Sequence, residues 1–231
     1  MEYTQSQRAA DPALQPHQPR RTLEDVKRVG AEIIASKGFR ETSIRDIADA
    51  LGITKSAIYH HVESKNWLLH EIISSYEARG RVLIEAARRA GPDPEASLRA
   101  FIRELVLASA QDLVMATLLA RELRSLQETY RKTACAFLDE TEAFVRHIIM
   151  SGQAAGVFRE DVDARLATIA VFSMVNSLHL WFRHDGTFDA SKVARDFERI
   201  LIGGLLVDAD PRSAEVPFHG ETSTAHFRYE A

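Results

Sequence analysis

Between residue 22 and about residue 207, apolar side chains recur at i, i+3, i+4 and i+7, and no stretch alternates apolar with polar as a half-buried strand would. Such a chain closes a core only by packing helical stripes against one another, so the expected fold is all-α. No self-similarity appears at a period of roughly 20–50 residues, which excludes a solenoid. The 231 residues suffice for one large domain, or for a small one joined to a larger. With 45% apolar and 27% charged residues, the composition is that of a globular protein able to bury a sizeable core.

Capping and breaking residues divide the period into about nine helices. Thr22 caps the first, with Asp25 in the place of a capping-box Glu; Val26, Val29, Ile33 and Ile34 form its stripe and Gly38 stops it. Ser43 caps a short second helix ending at Gly52, and a third runs from Thr54 to about Val62. Ser64 caps a long helix from Lys65 to Arg89, which Gly91-Pro-Asp-Pro94 terminates. Further helices are expected from Glu95, over 112–123, over 126–150 until Gly152 and Gly156 break it, over 163–182 and over 190–207. Residues 1–19, with four Gln and three Pro, and residues 208–231 read as flexible tails. The body divides into residues 20–79 and 80–207.

Several classes fall away at once. Cys135 is the single cysteine, which rules out an internal disulfide and a multi-cysteine zinc site. The N-terminus lacks the apolar run of an export signal, so the cytoplasm is the expected compartment. The longest uncharged stretch, 166–182, contains Thr168, Ser173, Asn176, Ser177 and His179; it reads as a buried helix and not as a membrane span. No pair of histidines stands at i, i+4, so no metal is expected. No Ser–His–acid order, phosphate-cradling glycine loop or HExxH string is present, so neither catalytic residues nor a cofactor are expected and the chain does not read as an enzyme. The net charge of −4 argues against wholesale coating of nucleic acid, yet residues 20–79 carry ten Lys/Arg against nine Asp/Glu, net +1, and the remainder nineteen against twenty-four, net −5. That distribution permits a DNA-contacting N-terminal segment.

The segment Ser43-IRDIADALGITKSAIYHHVES-Lys65 supplies the chemistry. Ala48 sits where two short helices cross, Gly52 where the chain reverses, and Ile58 where an apolar plug fixes the second helix; Ile47, Leu51 and Ile53 complete the inner positions. A helix-turn-helix requires these features. Thr42, Ser43 and Arg45 stand at a helix start, where N–H groups and a cation can hold a phosphate. Lys55, Ser56, Ala57, Tyr59 and His60 are assigned to the outer side of the third helix, and Lys65 to the start of the fourth. No Asp or Glu lies between Gly52 and Val62. A purely structural helical hairpin that touches no DNA has the same inner residues, and only the outer ones separate the two readings.

With these residues in hand, AEIIASKGFRETSIRDIADALGITKSAIYHHVESKNWLLHEI resembles the DNA-binding domain of TetR-family transcriptional regulators over roughly residues 20–79. The resemblance implies phosphate contacts from Thr42, Tyr59 and Lys65, base contacts from Lys55–His60, double-stranded operator DNA as partner, and a helical ligand-binding and dimerisation domain. The C-terminal half, from RELRSLQETY to ERILIGGL, is similar to a branch of the family linked to fatty acid, steroid and aromatic catabolism. A repressor released by a small molecule, an acyl-CoA foremost, is therefore expected; a regulator of drug efflux is the alternative within the family.

Helical spacing directs Phe101, Leu105, Phe137, Phe144, Phe172 and Asn176 inward, with Thr141, His147 and Asn176 as the polar groups that would orient an effector. A dry core of the same residues is an equally open reading. Ile169, Phe172, Val175, Leu178, Ile200, Leu201, Leu205 and Leu206 exceed what one face of each of the last two helices can hide, so a homodimer through those helices is expected.

Overall fold

The structure is a computed structural model and describes residues 21–207; the expected tails at 1–19 and 208–231 lie outside them. Among the described residues it is all-helical: α1 (Leu23–Lys37), α2 (Ile44–Leu51), α3 (Lys55–Ile58), α4 (Lys65–Arg89), α5 (Pro94–Gln111), α6 (Leu113–Glu122), a short 3-10 turn (Leu123–Ser125), α7 (Glu128–Ala154), α8 (Ala164–Asn176), α9 (Leu178–Trp181) and α10 (Ala190–Gly203). The one β-type pairing among them is the isolated bridge between Phe158 and Leu206. No helix among the described residues is long and apolar enough to cross a membrane.

Two compact units emerge, and their division differs from the expected one. Among the described residues, 21–81 pack with Asp112–Leu138, and Val82–Gln111 pack with 139–207. The short helices α1–α3 cannot enclose a core alone. Met115 and Leu118 of α6, with Leu126 and Ala134, join Val26, Ile34, Ile47, Leu51, Ile58, Leu68 and Ile72 in one buried cluster.

Local chemistry in the first unit follows the capping rules closely. Thr22 Oγ1 accepts the Asp25 N–H (3.2 Å) while the Asp25 carboxylate takes the Thr22 N–H (2.9 Å), and Ser43 and Asp46 repeat that box on α2. Gly52, at φ 69°, adopts the left-handed conformation that reverses the chain after α2. The third helix is shorter than expected: α3 ends at Ile58, and turn-type hydrogen bonds such as His61 N–H to Ile58 C=O (2.9 Å) carry the chain on to Val62.

In the second unit α5 buries Leu98, Phe101, Ile102, Leu105 and Val106 and packs along α10. Expectation and structure differ at two helix ends. α7 runs through Gly152 and stops only before Gly156, because the missing Cβ at Gly152 admits the ring of Phe158 and does not break the helix. The 163–182 helix divides at Ser177, whose hydroxyl donates to Met174 C=O (2.8 Å), next to a contact between His179 Nδ1 and Asn176 C=O (2.6 Å) that diverts a second carbonyl. The expected surplus of apolar surface is also smaller. Val175, Leu178 and Leu205 are buried within the protomer, leaving Ile169 and Ile200 exposed and Phe172, Leu201 and Leu206 half-buried.

A buried carboxylate joins α5 to α10. Glu198 accepts Arg99 Nη1 at 2.9 Å on one oxygen, and Arg103 Nε and Nη2 at 3.0 and 2.7 Å on the other. Burial alone pushes this carboxyl up, but the hydrogen bonds from Arg103 and Arg99 outweigh it and hold the group below the ordinary carboxylate range. Because the folded-state value is depressed, the cluster's contribution is present above the unfolded value and lost as pH falls through the folded one. Glu198→Gln is expected to cost about 1–2 kcal/mol at neutral pH, discounted because Arg103 is half-exposed. In urea unfolding across pH, the gap between wild type and variant should close as the medium drops below the usual glutamate range.

Candidate nucleic-acid interface

The outer face of the helix-turn-helix is built on Ile58. It is the buried residue of α3, and with Ile47, Ala48 and Leu51 of α2 it sets which side of the four-residue helix looks outward. Thr54 caps α3 by accepting the Ala57 N–H (3.1 Å). Lys55, Ser56, Tyr59 and His60 are exposed and Ala57 is half-buried, so this expected group does come together on one surface. Tyr59, 49% exposed, carries the Lys55 ammonium 6.0 Å from its ring centroid. At the start of α2, Ser43 and Arg45 are exposed. The Ser43 backbone and side-chain hydrogen bonds hold Asp46 below the usual carboxylate range, so its charge is committed to capping. Arg45 lies 3.6 Å from Asp49 with both side chains in solvent, a pairing weak enough for a phosphate to displace.

Two members of the expected DNA-contacting set have their side chains engaged within the protein. Thr42 is buried, and its hydroxyl donates to Gly38 C=O (2.8 Å), so its side chain braces the α1–α2 loop. The Lys65 ammonium donates to Phe39 C=O (2.7 Å), Thr42 C=O (2.8 Å) and, more weakly, Arg40 C=O (3.4 Å), and sits 4.3 Å from the Phe39 ring centroid. With its three protons directed to that loop, Lys65 acts as a clamp on the approach to α2.

Two positioning residues escaped the sequence reading. Glu122 Oε1 accepts the Phe39 N–H (3.2 Å), while its other oxygen accepts the Ser125 hydroxyl (2.7 Å). Asn66 donates to Ser125 C=O (3.1 Å) and accepts the Gln127 N–H (2.8 Å). These bonds tie the α6–α7 junction to the loop before α2 and to the start of α4. Apart from Ser125 for Glu122, their partners lie 59 to 83 residues away in the chain, so no local pattern marks the tie.

The expected effector residues separate. Phe101, Phe144 and Phe172 do meet in the second unit, with ring centroids 6.0 and 6.1 Å from Phe101, and Leu105 is buried on the same helix as Phe101. The Arg88 guanidinium lies 5.4 Å from the Phe144 ring centroid. Thr141 is buried. Phe137 belongs to the first unit, seated against Gly80. His147 and Asn176 are exposed, which corrects their inward assignment: α7 buries Val145, Ile148 and Ile149 around His147, and α8 buries Val171 and Val175, turning Asn176 outward.

Residues 28–72 match the family model for bacterial regulatory proteins of the tetR family, and residues 91–205 match the tetracyclin repressor-like C-terminal domain. Over 183 residues, covering 77% of this chain and 87% of that protein, the sequence is 29% identical to the HTH-type transcriptional repressor KstR2 of Rhodococcus jostii. The TetR-family transcriptional regulator PfmR from Thermus thermophilus is 36% identical, with a TM-score of 0.68 over 78% of this chain and 97% of that one. AibR, solved with isovaleryl coenzyme A and operator DNA, shares the fold at 22% identity, with a TM-score of 0.71 over 78% of this chain and 97% of its own. KstR2 and PfmR are transcriptional regulators. The two family models together cover the helix-turn-helix and most of the second unit, and with PfmR matched along nearly its whole length, the chain belongs to the TetR family of bacterial transcriptional regulators.

Proposed function

We propose that the protein is a homodimeric repressor that acts in the cytoplasm, binds a two-fold operator through α2 and α3, and is released by an acyl-CoA thioester. The observation carrying the DNA-binding reading is the outer face of α3, where Lys55, Ser56, Tyr59 and His60 are exposed together without a carboxylate between Gly52 and Val62. Tyr59 and His60 present hydrogen-bonding groups to base edges or phosphates, while Ser43 and Arg45 contact the backbone and set register. Thr42 and Lys65 serve the same interface indirectly, by holding the loop that orients α2.

Support for the dimer comes from Leu166 and Ile169 on α8 and Ile200 on α10, apolar side chains left 46–65% exposed. A partner copy covering them would give the assembly a second α3, and a palindromic site takes two. For the effector, Phe101, Phe144 and Phe172 offer aromatic rings, Leu105 an aliphatic side chain, Thr141 a hydroxyl, and Arg88 a cation suited to the phosphates of coenzyme A. The AibR complex lends the thioester its precedent within the same fold.

Fluorescence anisotropy with DNA from upstream of the gene, repeated at several salt concentrations, tests the reading. Lys55→Ala is expected to lower the slope of log affinity against log salt by about one unit, as for one lost phosphate contact. Lys65→Ala is expected to lower thermal stability and affinity with the slope unchanged, since its ammonium faces carbonyls. A salt-insensitive complex, or no complex, would reject operator binding. Acyl-CoAs that leave the affinity untouched would reject the thioester alone.

A further inference from the structure

Away from α3, the first unit contains a second concavity. A cleft of about 400 Å³ lies between α1, α4 and α6, a size within the range of small-molecule sites. Its floor is apolar: Ala31, Ile72 and Met115 are buried there, and Val114 lies beside them half-buried. The charged groups around it are unequal. Lys27 is the most deeply set, its side chain only 13% exposed, and its ammonium makes one hydrogen bond, to a Glu24 carboxylate on a side chain that is 79% exposed (3.1 Å). Asp112, on the opposite wall, is already committed: one oxygen caps α6 by accepting the Met115 N–H (3.0 Å), and the other pairs with Arg79 at 2.9 Å. Glu32, also on the lining, is paired with Arg28 at 3.1 Å, so each of the three carboxylates around the cleft already faces a cation. An entering molecule therefore meets an apolar floor and, set deepest among the charged groups, an ammonium held by a single hydrogen bond to a solvent-exposed carboxylate that an incoming anion would have to displace.

We infer that this cleft is a binding site for a small anionic ligand with a flat apolar body, an aryl carboxylate in chemical class, whose carboxylate takes the Lys27 ammonium while its ring lies on Ile72, Val114 and Met115. A charge-assisted hydrogen bond in a half-enclosed site is stronger than one in open solvent, which is why the depth of Lys27 decides the sign of the ligand. The occupant touches α1, α4 and α6 at once and holds them at one separation. The site is distinct from the aromatic cluster of the second unit and needs no DNA, so it stands or falls apart from the operator-binding proposal.

Methionine-methyl NMR of the full chain tests it. The chain has four methionines; Met115 reports on the cleft, and Met150 and Met174 report on the second unit. Titration with naphthoate is expected to shift Met115 in a saturable way and to leave Met150 and Met174 in place, with the neutral naphthyl methanol at least about tenfold weaker. Lys27→Gln should weaken naphthoate by about tenfold and Lys27→Arg should retain it. Val114→Phe, which keeps the cation and fills the cleft, should abolish the shift. The assignment is overturned if Met115 does not respond at millimolar naphthoate, if the alcohol binds as well as the acid, or if Lys27→Gln or Val114→Phe changes nothing.

Discussion

Replacing Ile58 with alanine is expected to abolish operator binding at protein concentrations that saturate the wild type, while costing about 3 kcal/mol of stability, within the usual range for truncating a fully buried Ile. The two losses have one cause. α3 is four residues long, far below the length at which a helix holds itself in water, so its position comes entirely from tertiary contact. Ile58 is that contact: it is fully buried against the cluster of Ile47, Ala48 and Leu51. Once the plug is gone, Tyr59 and His60 no longer point in a defined direction, and a surface that must match a groove loses its preorganisation. Paired measurements separate the effects: chemical denaturation gives the stability cost, and anisotropy at a temperature where the variant is still folded gives the binding cost. If the folded variant binds DNA as the wild type does, α3 is not the element that reads it.

The second large effect is expected at a position with no functional side chain at all. A Cβ built on Gly152 would lie 2.1 and 2.5 Å from two ring carbons of Phe158, well inside any tolerated contact. Phe158 is fully buried and cannot swing aside, since its own N–H bonds to Gly152 C=O at 3.1 Å and the adjacent Arg159 N–H bonds to Leu205 C=O at 2.8 Å. Gly152→Ala is therefore expected to cost about 3 kcal/mol, at the upper end for overpacking, and to lower the melting temperature by on the order of 10 °C. Gly156 provides the contrast. It has nothing within 4 Å but a φ of 69°, so alanine there pays only for backbone conformation, about 1 kcal/mol. Phe158→Leu introduced beside Gly152→Ala should recover part of the loss. A double variant no more stable than the single one would mean the ring is not the obstacle. The segment around Phe158 also pairs with the chain just beyond α10, through the Phe158–Leu206 bridge and Val207 N–H to Val157 C=O, so the variant should loosen that pairing as well.

The helix-turn-helix was legible in the sequence because its determinants are local. Capping boxes join residues three apart, a left-handed glycine is demanded by a turn of its own neighbours, and the Ala48, Gly52, Ile58 spacing falls within one short stretch. The aromatic trio of Phe101, Phe144 and Phe172 was legible for a related reason, since helical periodicity states which face turns inward even when the partner helix is distant in the chain. His147 and Asn176 went wrong at the edge of that logic: a helical period predicts a stripe, but how wide the stripe is depends on how many neighbours pack on it.

What only the tertiary structure decided are the contacts between segments far apart in sequence. Thr42 and Lys65 have the residue types of phosphate ligands, and nothing in their neighbourhood says that the α1–α2 loop folds back to occupy them. The inclusion of α6 and the start of α7 in the N-terminal unit follows from a core too small to close with α1–α3 and the first part of α4 alone, and Glu122 and Asn66 find their partners only once that closure has happened. The sequence by itself determined where the helices fall, their capping boxes and the helix-turn-helix, since those depend on interactions within a few residues. Which polar side chains remain outward, and which are consumed as internal clamps, was settled by packing, because burial is a property of the assembled surface and not of the chain order.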